Sequence, residues 1–264
     1  MSTFEYYIEE NDFYCKCAKG KPAVNGQEFH DYDEFVMFLG GNAHFIAEDV
    51  QATLTPNDLI WVPREHFHQF IVSDPTSYIR CIVAIKKSSP LYPLLSMTTN
   101  HVSVGRPNEK AQSIFSDIIN AMTSSLVYDE KILLLRALIT QLTFEKKQHG
   151  AISSASISTT SALVSNAISY IDANLDNNLT IQKIASYLYV SESTLSHRFH
   201  KELNISIYHY ITKKRLSMVR QYVSNGYSIG QAAILSGFNN YASFFRVCKS
   251  HYGMSPSQFL STSY

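Results

Sequence analysis

Arg246 is the side chain in this 264-residue sequence best suited to recognition chemistry, because a planar guanidinium can pair in bidentate fashion with a guanine edge. It sits where Phe244 and Cys248 fall on one helical face, which turns Tyr241, Ala242, Phe245, Arg246 and Lys249 to the other. An earlier stretch repeats the arrangement: Leu195 and Phe199 face inward and leave Ser193, Ser196, His197 and Lys201 outward. His197 takes the place of Arg246 there, as a weaker donor or as a surface histidine without a role. Lys201, Lys249 and the run Lys213, Lys214, Arg215 offer cations to phosphate, a contact that positions without specifying. A solvated charge run, or an internal salt bridge for Arg215, is an equal alternative. No nucleophile-base-acid constellation and no phosphate-cradling glycine loop is present in the sequence, so the chemistry on offer is recognition and not catalysis.

The elements that must hold these side chains are two helix-turn-helix patterns, one starting at Ile181 and one at Ile229. In the first, Ile184, Ala185, Leu188, Val190, Leu195 and Phe199 take the places where two short crossing helices bury apolar groups; in the second, Ala232, Ala233, Leu235, Phe238, Phe244 and Cys248 do so. The first helices match at an offset of 48 residues (Ala185 with Ala233) and the second helices at 49 (Leu195 with Phe244), an internal repeat. Between them, Ser206 to Val223 holds no Gly or Pro and carries an apolar stripe, with Ser206 placed to cap the start and Asn225-Gly226 to end it. A helix of about five turns would hold the two reading helices near the ~34 Å spacing of successive major grooves. Ser255-Pro256 reads as the start of a final helix that packs Phe259 under the second unit.

The strings LTIQKIASYLYVSESTLSHRFHKELNIS and YSIGQAAILSGFNNYASFFRVCKSHYGMSPSQFL resemble the DNA-binding domain of the AraC/XylS family of bacterial transcription regulators. The second is the more specific, since GF, five residues, FFRV, K and YGMSP recur there in that order and spacing. The resemblance implies that Ser193, Ser196, His197, Tyr241, Ala242, Phe245 and Arg246 face base edges. Three positions depart from the pattern: Cys248 stands for a usual Phe, Leu260 for a frequent basic residue, and Asn204 for a customary Gly. Asn tolerates a left-handed backbone, so the turn at Asn204 is expected to survive.

Charge divides in the same direction. From Ala162 onward nine Lys and Arg face four Asp and Glu (9 − 4 = +5), while residues 1 to 161 hold thirteen against eighteen (13 − 18 = −5), for a whole-chain balance of zero. A basic reading head on an acidic body fits a polyanionic partner, although +5 is also ordinary surface chemistry.

Upstream, 149–161 holds seven Ser and Thr without periodicity and reads as a flexible linker. Asn108 to Thr123 and Asp129 to Lys147 read as amphipathic helices, and the surplus of Leu135, Leu138, Ile139 and Leu142 on the second marks a dimer interface or else packing against the N-terminal domain. Before them, short runs at Phe35 to Leu39, His44 to Ala47, Leu59 to Val62, Gln69 to Val72 and Tyr78 to Ile85 are spaced as a small β-barrel. Asp33 through Gly41 and Asp58 to His68 resemble the two cupin segments of many AraC-type sensor domains. In metal-binding cupins that resemblance implies histidines and a carboxylate around a divalent ion. Here His30 and Glu34 answer to the first cluster and His68 to the last, but Tyr32 replaces a common histidine and the set looks incomplete. No metal or other cofactor is therefore expected. His30, Tyr32, Glu34, Phe38, Trp61, Phe67 and His68 are instead candidates to line a small-molecule pocket, for which a sugar is the first guess, or merely to fill the barrel.

The chain thus reads as a two-domain α+β protein. A cupin-like sensing barrel (1–105) precedes a helical pair (106–148), a linker (149–161) and an all-α AraC-type domain of two helix-turn-helix units joined by a long helix (162–264). The expected partners are double-stranded DNA, a small-molecule effector, a second copy of the chain and, for an activator, RNA polymerase. Four cysteines without zinc spacing, no signal-peptide pattern and no run of ~18 apolar residues lead to a cytoplasmic, non-membrane expectation. The alternatives are a cupin-type metal-dependent enzyme with a DNA-binding appendage and an effector-independent regulator.

Overall fold

The computed structural model describes residues 5–20, 27–48, 50–96, 101–155 and 158–261. The chain forms two compact units, Met1–Thr159 and Thr160–Tyr264.

In the first unit, strands β1 (Glu5–Glu9), β2 (Phe13–Lys19), β3 (Asp33–Gly40), β6 (Leu59–Val62), β8 (Ile79–Ile85), β9 (Ser103–Pro107) and β10 (Ile152–Ala155) make one sheet, ordered β1-β2-β8-β3-β6-β9-β10. Strands β4 (Ala43–Ala47), β5 (Val50–Leu54), β7 (His68–Val72) and β11 (Ser158–Thr159) make a second, ordered β11-β5-β4-β7. The expected closed barrel is corrected to these two open sheets, because the hydrogen-bonded ladder stops at edge strands β1 and β10 in one and β11 and β7 in the other. Strand β3 is buried on both faces, as a central strand with cover on each side must be. Its Phe35 and Met37 join a core with Trp61 of β6 and with two helices, α2 (Glu109–Thr123) and α3 (Tyr128–His149), while Val36 and Phe38 join a second core with Phe45 of β4. Helix α2 is capped by Asn108, whose side chain accepts from the Ala111 amide at 2.8 Å. A short helix α1 (Tyr92–Ser96) precedes β9.

Two expectations give way here. Leu135, Leu138, Ile139 and Leu142 are buried against α2 and the larger sheet, so the leucine surplus of α3 is core packing within the chain. Residues 149–161 are not an irregular tether throughout: Ile152–Ala155 pairs antiparallel with β9 and Ser158–Thr159 with β5. Edge strands have one paired neighbour and need no apolar alternation, so Ser and Thr suffice there and leave no periodicity to read.

The second unit is helical: α4 (Ala162–Asp172), α5 (Ile181–Tyr187), α6 (Glu192–Leu203), α7 (Ile207–Ser224), α8 (Ile229–Leu235), α9 (Tyr241–Tyr252) and α10 (Pro256–Ser261). Five of them start on side-chain caps at Ser161, Thr180, Ser191, Ser206 and Ser228, and α9 on Asn240, whose side-chain Oδ1 accepts from the Ser243 amide at 2.8 Å. Asn204 does close α6 in the left-handed region, at φ 56°. Leu235 was expected inside and is 39% exposed, while its neighbour Ser236 is fully buried. The turn after α8 rotates the chain by one position relative to the apolar pattern.

The repeat places Tyr189 and Gly237 at equivalent turns, and both are left-handed, at φ 56° and 84°. Glycine accepts that conformation freely, whereas a residue with a Cβ strains by about 1–2 kcal/mol. Tyr189 is 95% exposed and has no packing to offset the strain. Tyr189→Gly is therefore expected to stabilise the second unit by about 0.5–1 kcal/mol after the entropy glycine adds to the unfolded chain. A urea melt followed by circular dichroism checks this, and an unchanged or lower midpoint contradicts it.

Candidate nucleic-acid interface

Helix α6 buries Leu195, Phe199 and Leu203 and leaves Ser193 and His197 exposed, with Ser196 half-buried between them. Helix α9 buries Phe244 and Cys248 and exposes Tyr241, Ala242, Phe245, Arg246 and Lys249. The residues read from sequence as outward on each helix thus share one accessible face of it. Among the described residues the Arg246 guanidinium has a single weak contact, to Ser243 Oγ at 3.4 Å one turn back on the same helix, which leaves it able to reach outward. Tyr241 and Phe245 lie 6.5 Å apart between ring centroids and form an exposed aromatic pair beside it.

The five cations divide differently. Lys201 and Lys249 are exposed, the latter with a long 3.4 Å contact to the Gly253 carbonyl. Lys213, Lys214 and Arg215 are half-buried and engaged inside the unit. Lys213 Nζ donates to the Tyr252 hydroxyl at 2.8 Å, and burial together with the Arg220 charge lowers its pKa. Lys214 Nζ stands 3.9 Å from Asp172 Oδ2. Arg215 donates to the Leu175 carbonyl at 2.9 Å and the Asn177 carbonyl at 2.7 Å, tying α7 to the loop after α4. The alternative of an internal role is the one Arg215 fulfils, with carbonyls in place of a carboxylate. Sequence reasoning missed the link from α4 to α6, where Glu202 accepts from the Ser161 amide at 2.8 Å and hydroxyl at 2.9 Å; only a long-range contact makes Glu202 informative.

In the first unit, four of the seven pocket candidates come together. His30 lies just before β3, Glu34 on β3 and His68 on β7, all nearly fully buried, and Tyr32 stacks on His30 with ring centroids 3.8 Å apart. Each imidazole Nδ1 faces a backbone carbonyl, His30 that of Tyr32 at 2.9 Å and His68 that of His66 at 3.2 Å. Each Nε2 stands 3.5 Å from Glu34 Oε2. Burial would raise the Glu34 carboxyl and depress His68; the imidazoles outweigh the first effect and the carboxylate the second, so Glu34 is held ionised and the pKa of His68 rises. Tyr14 of β2, unnoticed in the sequence, donates to Glu34 Oε1 at 3.3 Å, and burial pushes its own pKa well up so that it keeps its proton. Phe38 lies in the core between the sheets and Phe67 packs on Phe29 at 4.7 Å. Trp61 is on the opposite face of the larger sheet, against Phe35 at 4.5 Å and under Lys146, and does not share the cluster.

The helix-turn-helix domain family matches residues 184–262, which runs from within α5 through α10. The arabinose operon regulatory protein of Escherichia coli is 30% identical over 204 residues, covering 74% of this chain and 64% of that protein. The probable transcriptional regulator LumQ of Photobacterium leiognathi is 26% identical over 91 residues, 34% of this chain and 37% of that one. The Msm operon regulatory protein of Streptococcus mutans is 24% identical over 254 residues, 92% of this chain and 88% of that protein. The matched region therefore falls short of two thirds of the first two relatives' lengths. With the exposed faces of α6 and α9 in a helical unit that matches the helix-turn-helix domain family, and with regulators matched across both units, the chain is similar to transcription regulators of the AraC type and carries their helix-turn-helix domain at residues 184–262.

Proposed function

We propose that the chain is an effector-controlled transcription regulator whose α6 and α9 read base edges in adjacent major grooves. The observation that carries this is the pairing of two capped helices at a repeat offset, each with its polar and aromatic side chains left accessible. Arg246 specifies, Ser193, Ser196, His197, Tyr241, Ala242 and Phe245 flank it or its counterpart, and Lys201 and Lys249 grip phosphate. Lys213, Lys214 and Arg215 brace the fold. The first unit, cupin-like in its order of segments, is the sensor, and a small molecule such as a sugar acts by favouring one arrangement of the reading heads over another. An activator of this kind also touches RNA polymerase, and it acts in the cytoplasm; no helix among the described residues is long and apolar enough to cross a membrane. The test is binding of the full chain to labelled DNA from upstream of its own gene, in excess nonspecific duplex. Selective binding at physiological salt supports the reading, and equal binding to all duplexes at every salt, with and without candidate effectors, contradicts it.

The dimer reading moves to another face of α3. Leu133 (70% exposed), Leu134, Ala137, Gln141 and Phe144 are exposed at spacings that put them on one stripe, opposite the buried leucines. Its occupant in this reading is a second copy of the chain. Leu133→Glu is then expected to halve the mass seen by light scattering at micromolar concentration without moving the thermal midpoint of the monomer; a wild-type chain that is already monomeric contradicts the interface.

A further inference from the structure

We propose that the cleft between the two helix-turn-helix halves of the second unit binds a small organic carboxylate. The cleft has a volume of about 270 Å³, at the lower edge of the roughly 300–1,000 Å³ of small-molecule pockets. Its walls come from the start of α5, the first half of α7, the turn before α9 and α9 itself, so an occupant meets both halves at once. The lining holds one cation, Arg215, and no carboxylate. Arg215 spends Nε on the Leu175 carbonyl and Nη2 on that of Asn177, while Nη1 makes no hydrogen bond among the described residues. Burial lowers the Arg215 pKa by more than Tyr208 and Asp176 raise it, so a guanidinium that stays charged is left short of compensation. Thr212 lines the same cleft and is only 4% exposed, yet its hydroxyl makes no hydrogen bond among the described residues. A polar group so deeply placed ordinarily has a partner.

The lining also selects the ligand. One guanidinium edge beside the hydroxyls of Tyr208, Thr212 and Ser243 suits a single planar negative charge and disfavours an ammonium. Ile211, Phe238 and Val247 form the apolar part of the wall, so the carboxylate carries a short hydrocarbon body that they cover. A bare phosphate would leave that wall wet and part of its own charge unpaired. Ser243 lines the cleft and stands 3.4 Å from Arg246 Nη2, so an occupant that draws on the Ser243 hydroxyl alters the support of the side chain proposed to read a base. That consequence rests on the regulator reading; binding itself stands on the cleft alone.

The experiment is equilibrium dialysis of the full chain against radiolabelled acetate, butanoate and benzoate at constant ionic strength, with unlabelled benzamide and inorganic phosphate as competitors. About one equivalent of butanoate or benzoate is expected to bind with a Kd at or below about 1 mM, and benzamide and phosphate to compete at least about tenfold more weakly. Thr212→Val removes a hydroxyl and Val247→Trp fills the cleft. Once each is shown folded by circular dichroism, the first is expected to weaken binding by about 3- to 10-fold and the second to abolish it. If one variant does not fold, the other carries the comparison, and the competition on wild type needs neither. The site is overturned by a wild-type chain that shows no saturable uptake of any of the three carboxylates, by benzamide or phosphate competing as well as unlabelled benzoate, or by folded variants that bind like wild type. Selective DNA binding by a chain that takes up no carboxylate removes the site and leaves the regulator.

Discussion

Gly237→Ala is expected to destabilise the helical unit by more than about 3 kcal/mol, the range reserved for a steric conflict with no room to relax. The residue sits at φ 84°, which alone strains an L-amino acid. A Cβ there would also stand inside contact distance of the Leu175 carbonyl oxygen and 2.9 Å from Arg215 Nε. Those two atoms are the hydrogen bond that ties α7 to the loop after α4, so the methyl group cannot displace one without breaking the other. Tyr189, at the equivalent turn of the first repeat, already carries a side chain because nothing crowds it. The chain has one tryptophan, Trp61, buried in the first unit, which gives a clean readout. In a urea titration the transition of the helical unit, followed by circular dichroism, should move to lower urea while Trp61 fluorescence keeps its midpoint. A variant whose helical transition moves by less than about 1 kcal/mol would show that the turn is not as crowded as described.

The converse pattern is expected for Asp33→Ala, which should cost the first unit about 3–5 kcal/mol. Asp33 is buried in β3 and takes the Arg64 amide at 2.9 Å, Arg64 Nε at 3.1 Å and a close contact from Arg64 Nη2. Arg64 also donates to the Tyr92 carbonyl at 3.2 Å and lies over the Tyr92 ring. Removing the carboxylate strands a guanidinium that is only 15% exposed, and the larger part of the loss is that uncompensated charge. The double change Asp33→Ala, Arg64→Met should accordingly recover part of it. Here the Trp61 transition should fall and the helical one stay. A single variant as stable as wild type, or a double variant worse than the sum of its parts, contradicts the pairing.

Much of this was open to reading from the residues. The strands around Phe35, Phe45, Trp61 and Val83 announced themselves by apolar runs between turn residues, and α2, α6, α7 and α9 by a 3.6-residue stripe, joined in α7 by the Ser206 cap and the closing Asn225-Gly226. Strands β1, β2, β5 and β9 were not read, since Tyr14, Lys16 and Arg106 place polar groups in short segments that only a neighbouring strand stabilises. The outward residues of α6 and α9 were legible because two inward side chains one turn apart, Leu195 and Phe199 or Phe244 and Cys248, fix what faces out. The cluster at His30 was half legible: its histidines and Glu34 stand out, but which of Tyr32, Trp61 and Phe67 joins them depends on the sheet face, and Tyr14 enters only through the pairing of β2 with β8 and of β8 with β3. Helix α3 misled because a stripe of leucines looks the same whether it meets a sheet or a second chain.

That α9 reads bases through Arg246 is the central claim, and competition binding of the full chain to its selected duplex tests it most directly. Wild type, Arg246→Ala and Lys249→Ala would each be measured against specific and nonspecific DNA over a salt series. Arg246→Ala should lose roughly 5- to 150-fold in affinity for the selected duplex, the equivalent of 1–3 kcal/mol for one bidentate base contact, with nonspecific affinity little changed. Lys249→Ala should weaken both duplexes alike and lower the salt slope by about one. Equal selectivity in Arg246→Ala and wild type would contradict the account.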